Sequence, residues 1–371
     1  MRGESAISTA LRGTGLKAVV CILFFSSLIN SFSILRADDD EVVTMAASSG
    51  FQSAGLAIDG KMSSRWEARD EADNVWIMFG FRHPRKIKDL IIFWDKGSAK
   101  IYDIEISSNG SVWTRAAEIK NGMSVESKYI VLTGAKDVKK IRINCTKKVS
   151  KRNYSIREII FNPKAIDGLL PGVVNRKVKC KDAPDQSYAL YLPSCYDPAK
   201  KSWPVVYGFS PDAMGEDPVK LLKDSAEKHG FIIIGSNNAK NGPWEDVKRA
   251  IRAVVKDSKK RFNINETGCY TCGFSGGARM SFLMSAMYRS MIAGVIPCCA
   301  GFDDKDYTPE PNMRIYGLSG KKDFNNGEMQ KALHSLGWPN NDKIQFVQFN
   351  GGHEWPSKKS LESAMDWMFA K

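Results

Sequence analysis

A β-sandwich of the jelly-roll type, followed by a compact α/β domain on a mostly parallel sheet, is the multidomain architecture this sequence predicts. Three observations lead there. Residues 41–163 break into short runs of alternating apolar and polar residues, with turn residues between them and no stretch suited to a long helix. From residue 173 onward, apolar strand-like runs alternate with helix-like runs, the pattern of a parallel sheet covered by helices. Within that second part, Gly273-Phe274-Ser275-Gly276-Gly277 stands between a strand-like run, Cys269-Tyr270-Thr271-Cys272, and a helix-like run from Ala278 to Tyr288.

The chain begins with a targeting pattern. Arg2, Arg12 and Lys17 precede an apolar run over 18–28, and Leu35-Arg36-Ala37 is followed by Asp38-Asp39-Asp40. A basic start, an apolar run too short to span a bilayer and a small residue at the end are the parts of a secretory signal. Residues 1–37 are therefore expected to be a signal peptide cut after Ala37, with the mature protein secreted or periplasmic and not inserted in the membrane.

The strands expected in the first domain lie at 75–79, 88–94, 102–107, 128–132, 140–144 and 156–161, with turns such as Ser108-Asn109-Gly110 between them. Trp66, Trp76, Trp94 and Trp113 are expected in its core. The segments Ala57-Ile58-Asp59-Gly60, Ser63-Ser64-Arg65-Trp66, 75–80, 102–107, 109–113 and Arg157-Glu158-Ile159-Ile160 occur in an order that resembles the coagulation-factor type C, or discoidin, family of galactose-binding-like modules. The resemblance implies a binding role, often for glycans. It also implies a structural calcium in many members, for which Asp59, Ser64 and Glu158 are the matching side chains. Such a set is oxygen-only, as calcium requires.

Residues 164–172 read as a short linker, Lys164-Ala165-Ile166-Asp167-Gly168 continuing to Pro171-Gly172. With 371 residues, each half has enough chain for its own core. The formal net charge is +13, with a dense basic stretch from Lys136 to Arg152. No nucleic-acid-binding motif accompanies it, and export argues against that partner; scattered solubilising lysines or an acidic glycan account for it. Seven cysteines follow the signal: Cys145, Cys180, Cys195, Cys269, Cys272, Cys298 and Cys299. An odd count leaves at least one unpaired within the chain. Cys180 with Cys195, and Cys272 with Cys298 or Cys299, are the candidate pairs, with buried thiols as the alternative. No histidine is spaced with them as a metal site would need.

The glycine-flanked serine is the nucleophile elbow of an α/β-hydrolase, a sharp strand-to-helix turn that needs small neighbours. The order in that fold is nucleophile, acid, histidine. Of the four histidines, His83 lies in the first domain, His229 ends a helix-like stretch, and His334 lies within another. His353 follows a strand-like run over 344–349 and the turn Gly351-Gly352, so it is the expected base. Asp323 follows the run 313–318 and is the expected acid. Asp303, Asp304 and Asp306 are its rivals. The oxyanion donors are expected to be the backbone N–H of Gly276 and, in the loop after the run 203–207, that of Phe209, with Ser210 as second choice. Many esterases carry His-Gly where this chain has Tyr207-Gly208. Trp244, in the loop 237–244, and Trp355 are candidate pocket residues.

The segment 188–193, the run 204–208, the elbow, Gly320 to Asp323 and Gly351-Gly352-His353-Glu354-Trp355-Pro356 together resemble the polyhydroxybutyrate-depolymerase and feruloyl-esterase group of secreted hydrolases. The resemblance covers residues 175–371 and implies a serine carboxylic-ester hydrolase that needs no cofactor for catalysis. The expected function is an esterase acting on plant or algal polysaccharide carrying feruloyl or acetyl groups. Polyester depolymerisation is the alternative, and so is a glycan-binding protein whose second domain is not catalytic.

Overall fold

The computed structural model describes residues 42–370 except 70, 124–126, 135, 200 and 303–308. The expected signal peptide and the aspartates 303, 304 and 306 lie outside the described residues.

Among the described residues, nine strands build the first domain: β1 (Val42–Ala47), β2 (Trp66–Glu67), β3 (Val75–Arg85), β4 (Asp89–Trp94), β5 (Ala99–Ser107), β6 (Thr114–Ile119), β7 (Ser127–Val131), β8 (Val138–Lys148) and β9 (Ser155–Phe161). They form a five-stranded sheet, ordered β1-β3-β8-β5-β6, and a four-stranded sheet, β2-β9-β4-β7. Their pairings are antiparallel. Each sheet turns one face inward, which is why alternate residues of β3 are apolar: Val75, Ile77 and Phe79 are buried while Trp76 and Met78 are half-buried on the other face. Trp66 and Trp94 lie in the core, as expected. Trp76 and Trp113 do not. Both are half-buried, and the Arg142 guanidinium lies over the Trp113 ring at 4.4 Å. A short 3-10 helix, Phe51–Ala57, is an element the alternation did not predict.

The second domain is an eight-stranded sheet with helices on both faces. Its elements are β10 (Val174–Cys180), β11 (Ala183–Tyr191), β12 (Trp203–Phe209), α1 (Glu216–His229), β13 (Ile232–Ser236), α2 (Trp244–Arg261), β14 (Ile264–Phe274), α3 (Gly276–Met287), β15 (Ile292–Cys298), β16 (Arg314–Gly320), α4 (Asn326–Ser335), β17 (Ile344–Phe349) and α5 (Lys358–Phe369). The strand order is β10-β11-β13-β12-β14-β15-β16-β17. β10 and β11 are antiparallel, and the strands from β13 to β17 are parallel. Central parallel strands are covered on both sides, so they read as continuous apolar runs such as Ile232-Ile233-Ile234. One face packs Val219, Leu222 and Ala226 of α1 with Leu361, Ala364 and Met365 of α5. The other packs Val247, Ile251 and Val254 of α2 with Met280 and Phe282 of α3 and Leu333 of α4. This is the α/β-hydrolase arrangement expected.

The two domains meet at charged groups. Arg157, on β9, pairs with Asp95 at 2.9 Å and reaches Asp224 of α1 at 3.9 Å. In the linker, Gly172 has φ 78°, and a side chain there would strike the Phe93 ring, 2.3 Å from its added Cβ. No disulfide joins Cys180 to Cys195, and Cys145, Cys180, Cys269, Cys272, Cys298 and Cys299 are buried thiols. Among the described residues no helix is long and apolar enough to cross a membrane.

One buried charge ties the second domain together at its edge. Asp257 accepts hydrogen bonds from the Tyr188 hydroxyl, the Arg261 Nε–H and the Lys181 backbone N–H, each at 2.7 Å. Asp257→Ala leaves the buried Tyr188 hydroxyl without its acceptor and takes one of two carboxylate partners from a guanidinium that is 9% exposed, Asp167 remaining as the other. Urea titration of the variant is expected to show a loss of about 3–5 kcal/mol of stability; a loss below about 1 kcal/mol would mean that the network is slack.

Candidate active site

The turn from β14 into α3 carries Ser275 in a conformation that side-chain-bearing residues avoid, φ 55° and ψ −121°. Two close approaches explain the flanking glycines. A Cβ at Gly273 would stand 2.1 Å from the Gly277 carbonyl oxygen, and one at Gly277 would stand 2.2 Å from that of Phe209. The turn is fastened by the Ser275 N–H, which donates to the Cys298 carbonyl at 2.8 Å, and by the Ala278 N–H, which donates to the Ser275 carbonyl at 2.9 Å.

Three residues from three loops meet in a line. Ser275 Oγ lies 2.8 Å from His353 Nε2, and His353 Nδ1 lies 2.9 Å from Asp323 Oδ1. The Asp323 side chain is fully buried, that of His353 is 21% exposed. Burial alone would raise the Asp323 pKa, but hydrogen bonds from the Cys299 thiol, the Asn325 N–H and His353 outweigh it and hold the carboxyl below its ordinary 3.8. Asp323 is therefore ionised at neutral pH. Its folded-state pKa is depressed, so the stability it contributes is present above the ordinary value and is lost as pH falls through the folded one. Asn325 N–H donates to Asp323 Oδ1 at 2.9 Å, and Ser319 Oγ–H donates to Oδ2 at 3.3 Å.

The other histidines are placed elsewhere. His229 pairs with Asp366 at 2.7 Å, and His334 Nδ1 lies 2.9 Å from the Trp338 carbonyl. Phe209 ends β12 itself rather than lying in the loop beyond it: the strand runs two residues past the expected 203–207, because Gly208 and Phe209 still pair with Cys272 and Gly273 of β14. Phe209 nonetheless stands against Gly277, beside the nucleophile. The Tyr207 hydroxyl faces the core, 2.9 Å from Ser258 Oγ.

Several neighbours were not singled out from the sequence. The His353 ring lies beside Phe274, at 4.9 Å between centroids, and Phe324, at 4.2 Å. Phe324 is 78% exposed. The Asn241 carboxamide covers Gly276, so that a Cβ there would stand 1.7 Å from its oxygen. Phe324 and Asn241 each sit in a loop beyond a parallel strand, and that edge of the sheet is the only signal that points to them. Of the two candidate pocket tryptophans, Trp355 stacks near Phe274 at 5.4 Å, while Trp244 is the exposed first residue of α2. His353, Asp323 and Cys299 offer a nitrogen, an oxygen and a sulfur within 4.8 Å of one another, although sequence spacing alone placed no histidine with a cysteine.

In the sandwich, Asp59 and Ser64 lie in one turn, and Glu158 reaches that turn from β9. Ser64 Oγ–H donates to Asp59 Oδ2 at 2.7 Å, Lys61 N–H donates to Asp59 Oδ1 at 2.9 Å, and Gly60 N–H donates to Glu158 Oε2 at 2.8 Å. Two carboxylates and a hydroxyl around one backbone turn match the hard-oxygen chemistry of calcium. A cavity of about 730 Å³ lies at the seam between domains, between the loop 60–65 and α1. Its walls carry both signs of charge, Lys61, Arg65 and Arg157 against Asp224, Glu227 and Glu362. It includes none of the triad, so the chemistry is assigned by hydrogen-bond geometry rather than by cavity size.

Residues 42–159 match the family model of the F5/8 type C domain. None of the curated proteins matches the chain. Among solved structures, a selenomethionine-labelled mutant of chitosan-binding module 1 from a Paenibacillus sp. IK-5 chitosanase/glucanase is 25% identical, covering 32% of this chain and 92% of that one with a TM-score of 0.30. An S-formylglutathione hydrolase from Staphylococcus aureus is 14% identical, covering 49% of this chain and 90% of that one with a TM-score of 0.42. A fluorophosphonate-binding serine hydrolase from the same organism is 14% identical, covering 50% and 93%, with a TM-score of 0.40. The residues that match the F5/8 type C model thus precede the α/β domain that carries Ser275, His353 and Asp323.

The close approach at the elbow makes a direct test. Gly273→Ala forces strand and helix apart by displacing the Gly277 carbonyl. The variant is expected to fold, by circular dichroism, but to react with a fluorophosphonate probe on the order of 10²-fold more slowly, because displacements of that size misalign the nucleophile. Labelling at the parent rate would show that the turn has room to spare.

Proposed function

We propose that this chain is an exported serine esterase that cleaves carboxylic esters on a polysaccharide, with the sandwich holding it on the glycan. The observation that carries the reading is the line Ser275–His353–Asp323, with both bonds at 2.8–2.9 Å and the acid ionised. His353 Nε2 takes the Ser275 proton as Oγ attacks the ester carbonyl. The negative charge that develops on the carbonyl oxygen is received by the backbone N–H groups of Gly276 and Phe209. His353 then protonates the leaving alcohol, the acyl group stays on Ser275, and a water activated by His353 releases it. Asp323 holds the imidazole in the tautomer with its proton on Nδ1 and stabilises the imidazolium. Trp355 and Trp244 are the candidates for lining the substrate side. No cofactor takes part in this scheme.

The F5/8 type C match over residues 42–159 supports the targeting role, and the basic start followed by a short apolar run supports export. Feruloyl and acetyl esters of plant or algal polysaccharide are the substrates that the resemblance of residues 175–371 favours. A structural calcium held by Asp59, Ser64 and Glu158 belongs to the same proposal; the ion would brace the turn and take no part in hydrolysis.

Purified protein is expected to hydrolyse nitrophenyl acetate, and Ser275→Ala to lose about 10⁴-fold or more of that activity. Equal activity in the variant would sink the esterase reading. Feruloylated xylan, acetylated xylan and insoluble polyhydroxybutyrate assayed side by side decide the substrate, with rapid turnover of the polyester favouring the depolymerase alternative. Full-length Ser275→Ala on a glycan array tests the sandwich without turnover.

Removal of calcium is a separate measurement. In the presence of calcium at about a hundredfold over its Kd, the sandwich is expected to melt roughly 5 °C or more above its chelated form. Identical melting curves with chelator and with calcium would remove the ion from the proposal.

A further inference from the structure

We propose that Cys299 is a positioning residue, whose thiol holds the backbone beside His353 next to the Asp323 carboxylate so that acid and base reach the nucleophile in register. The inference rests on the esterase reading of Ser275 and adds to it a residue outside the triad.

Cys298 and Cys299 leave β15 at the point where all three triad loops meet. The Cys298 carbonyl accepts the Ser275 N–H at 2.8 Å, which fastens the nucleophile loop. The Cys299 N–H donates to the Leu318 carbonyl at 2.8 Å, on the strand that leads to Asp323. The Cys299 carbonyl accepts from Asn325 Nδ2 at 3.0 Å, two residues past the acid. Its sulfur lies 3.3 Å from the Glu354 carbonyl, one residue past the base. That sulfur, an Asp323 oxygen and a His353 nitrogen all lie within 4.8 Å of one another.

Two features say that the side chain, and not merely the backbone, matters. Cys299 is buried and adopts φ 59°, a left-handed conformation that glycine would take without strain. A cysteine stands there nonetheless. Burial and the adjacent carboxylate push its pKa up to about 12, so the sulfur keeps its proton and acts as a donor. One proton faces two acceptors, the Asp323 carboxylate and the Glu354 carbonyl. The thiol donates to the Glu354 carbonyl at 3.3 Å, and its protonated sulfur beside the carboxylate also favours the ionised form of Asp323.

The test uses three full-length variants, Cys299→Ser, Cys299→Ala and Cys299→Gly. Three quantities are read: kcat and KM on nitrophenyl acetate, the thermal midpoint, and the downfield proton resonance of the His353 Nδ1–H without substrate. Cys299→Ala is expected to lower kcat roughly 10-fold with KM nearly unchanged, and to shift or broaden the resonance. Cys299→Ser, which restores a donor, is expected to recover most of both. Cys299→Gly relieves the backbone strain, which offsets part of the cost of emptying the buried site, and is expected to lose kcat as the alanine variant does. It also decides the matter if the alanine variant does not fold. A glycine variant with the parent's kcat and resonance, or a serine variant no better than alanine, overturns the proposal. If the parent shows no ester hydrolysis, the function proposed above fails, and the resonance alone then judges Cys299.

Discussion

The strained backbone of Ser275 is the constraint around which the second domain is built. A serine at φ 55° and ψ −121° costs about 1–3 kcal/mol, which the surrounding structure must supply. It does so from both sides of the turn. Gly273 and Gly277 let β14 and α3 approach to backbone contact, and the Cys298 carbonyl takes the Ser275 N–H. The result is a hydroxyl raised above the sheet edge rather than folded into a helix. Because the central strands are parallel, the loops after β12, β13, β14, β15, β16 and β17 all open on that same edge. Phe209, Asn241, Ser275, Cys299, Asp323 and His353 gather there for that topological reason, although 144 positions separate the first from the last (353 − 209 in the numbering).

What the sequence disclosed follows from which signals are local. The elbow is local, since its glycines and its strand-helix junction are consecutive residues. Only four histidines exist, and the required order of nucleophile, acid and base left one of them in place. The parallel strands were readable because burial on both faces makes apolar runs. The neighbours of Asp323 were not readable. Cys299 reaches it through strand pairing between β15 and β16, a fact no nearby residue announces, and Ser319 does so across the local turn four residues before the acid, with nothing in its type to mark it. The same holds for Phe209, whose pairing with Gly273 lengthens β12 past its apolar run. In the sandwich, β1 escaped notice because it lies at the edge of its sheet: Val43, Thr44 and Met45 are exposed in succession, so no alternation marks the strand. β6 reads Thr-Arg-Ala-Ala-Glu-Ile, with Arg115 and Glu118 exposed, and lacks both the β-branched or aromatic run and the alternation that mark a strand. Trp76 and Trp113 misled for a physical reason, since tryptophan is as well suited to a half-covered sheet face as to a core.

The electrostatic design of the site is consistent with its burial. An unpaired carboxylate in the position of Asp323 would be pushed toward its neutral form. Four groups converge to prevent this: the Asn325 N–H, the Ser319 hydroxyl, the Cys299 thiol and the imidazole itself. Each is neutral when the histidine is neutral, so the negative charge is held by dipoles and remains available to the imidazolium that the proposed reaction would form on His353. A cation in their place would have neutralised the acid and removed that assistance.

Phe274 and Phe324 add to this arrangement beside the ring. One aromatic lies at 4.9 Å and the other at 4.2 Å, both tilted, while the two imidazole nitrogens are engaged by Asp323 and Ser275. Apolar surface beside the imidazole lowers the local dielectric and strengthens its bonds to Asp323 and Ser275. Phe324 bears the cost, because an aromatic ring that is 78% exposed forgoes most of its own burial energy. Its place in sequence, directly after the acid, makes the arrangement self-consistent: the backbone turn that aims Asp323 at Nδ1 also lays the next side chain across the ring. The position of the acid and the shielding of the base are therefore one structural feature, and neither can be moved without the other.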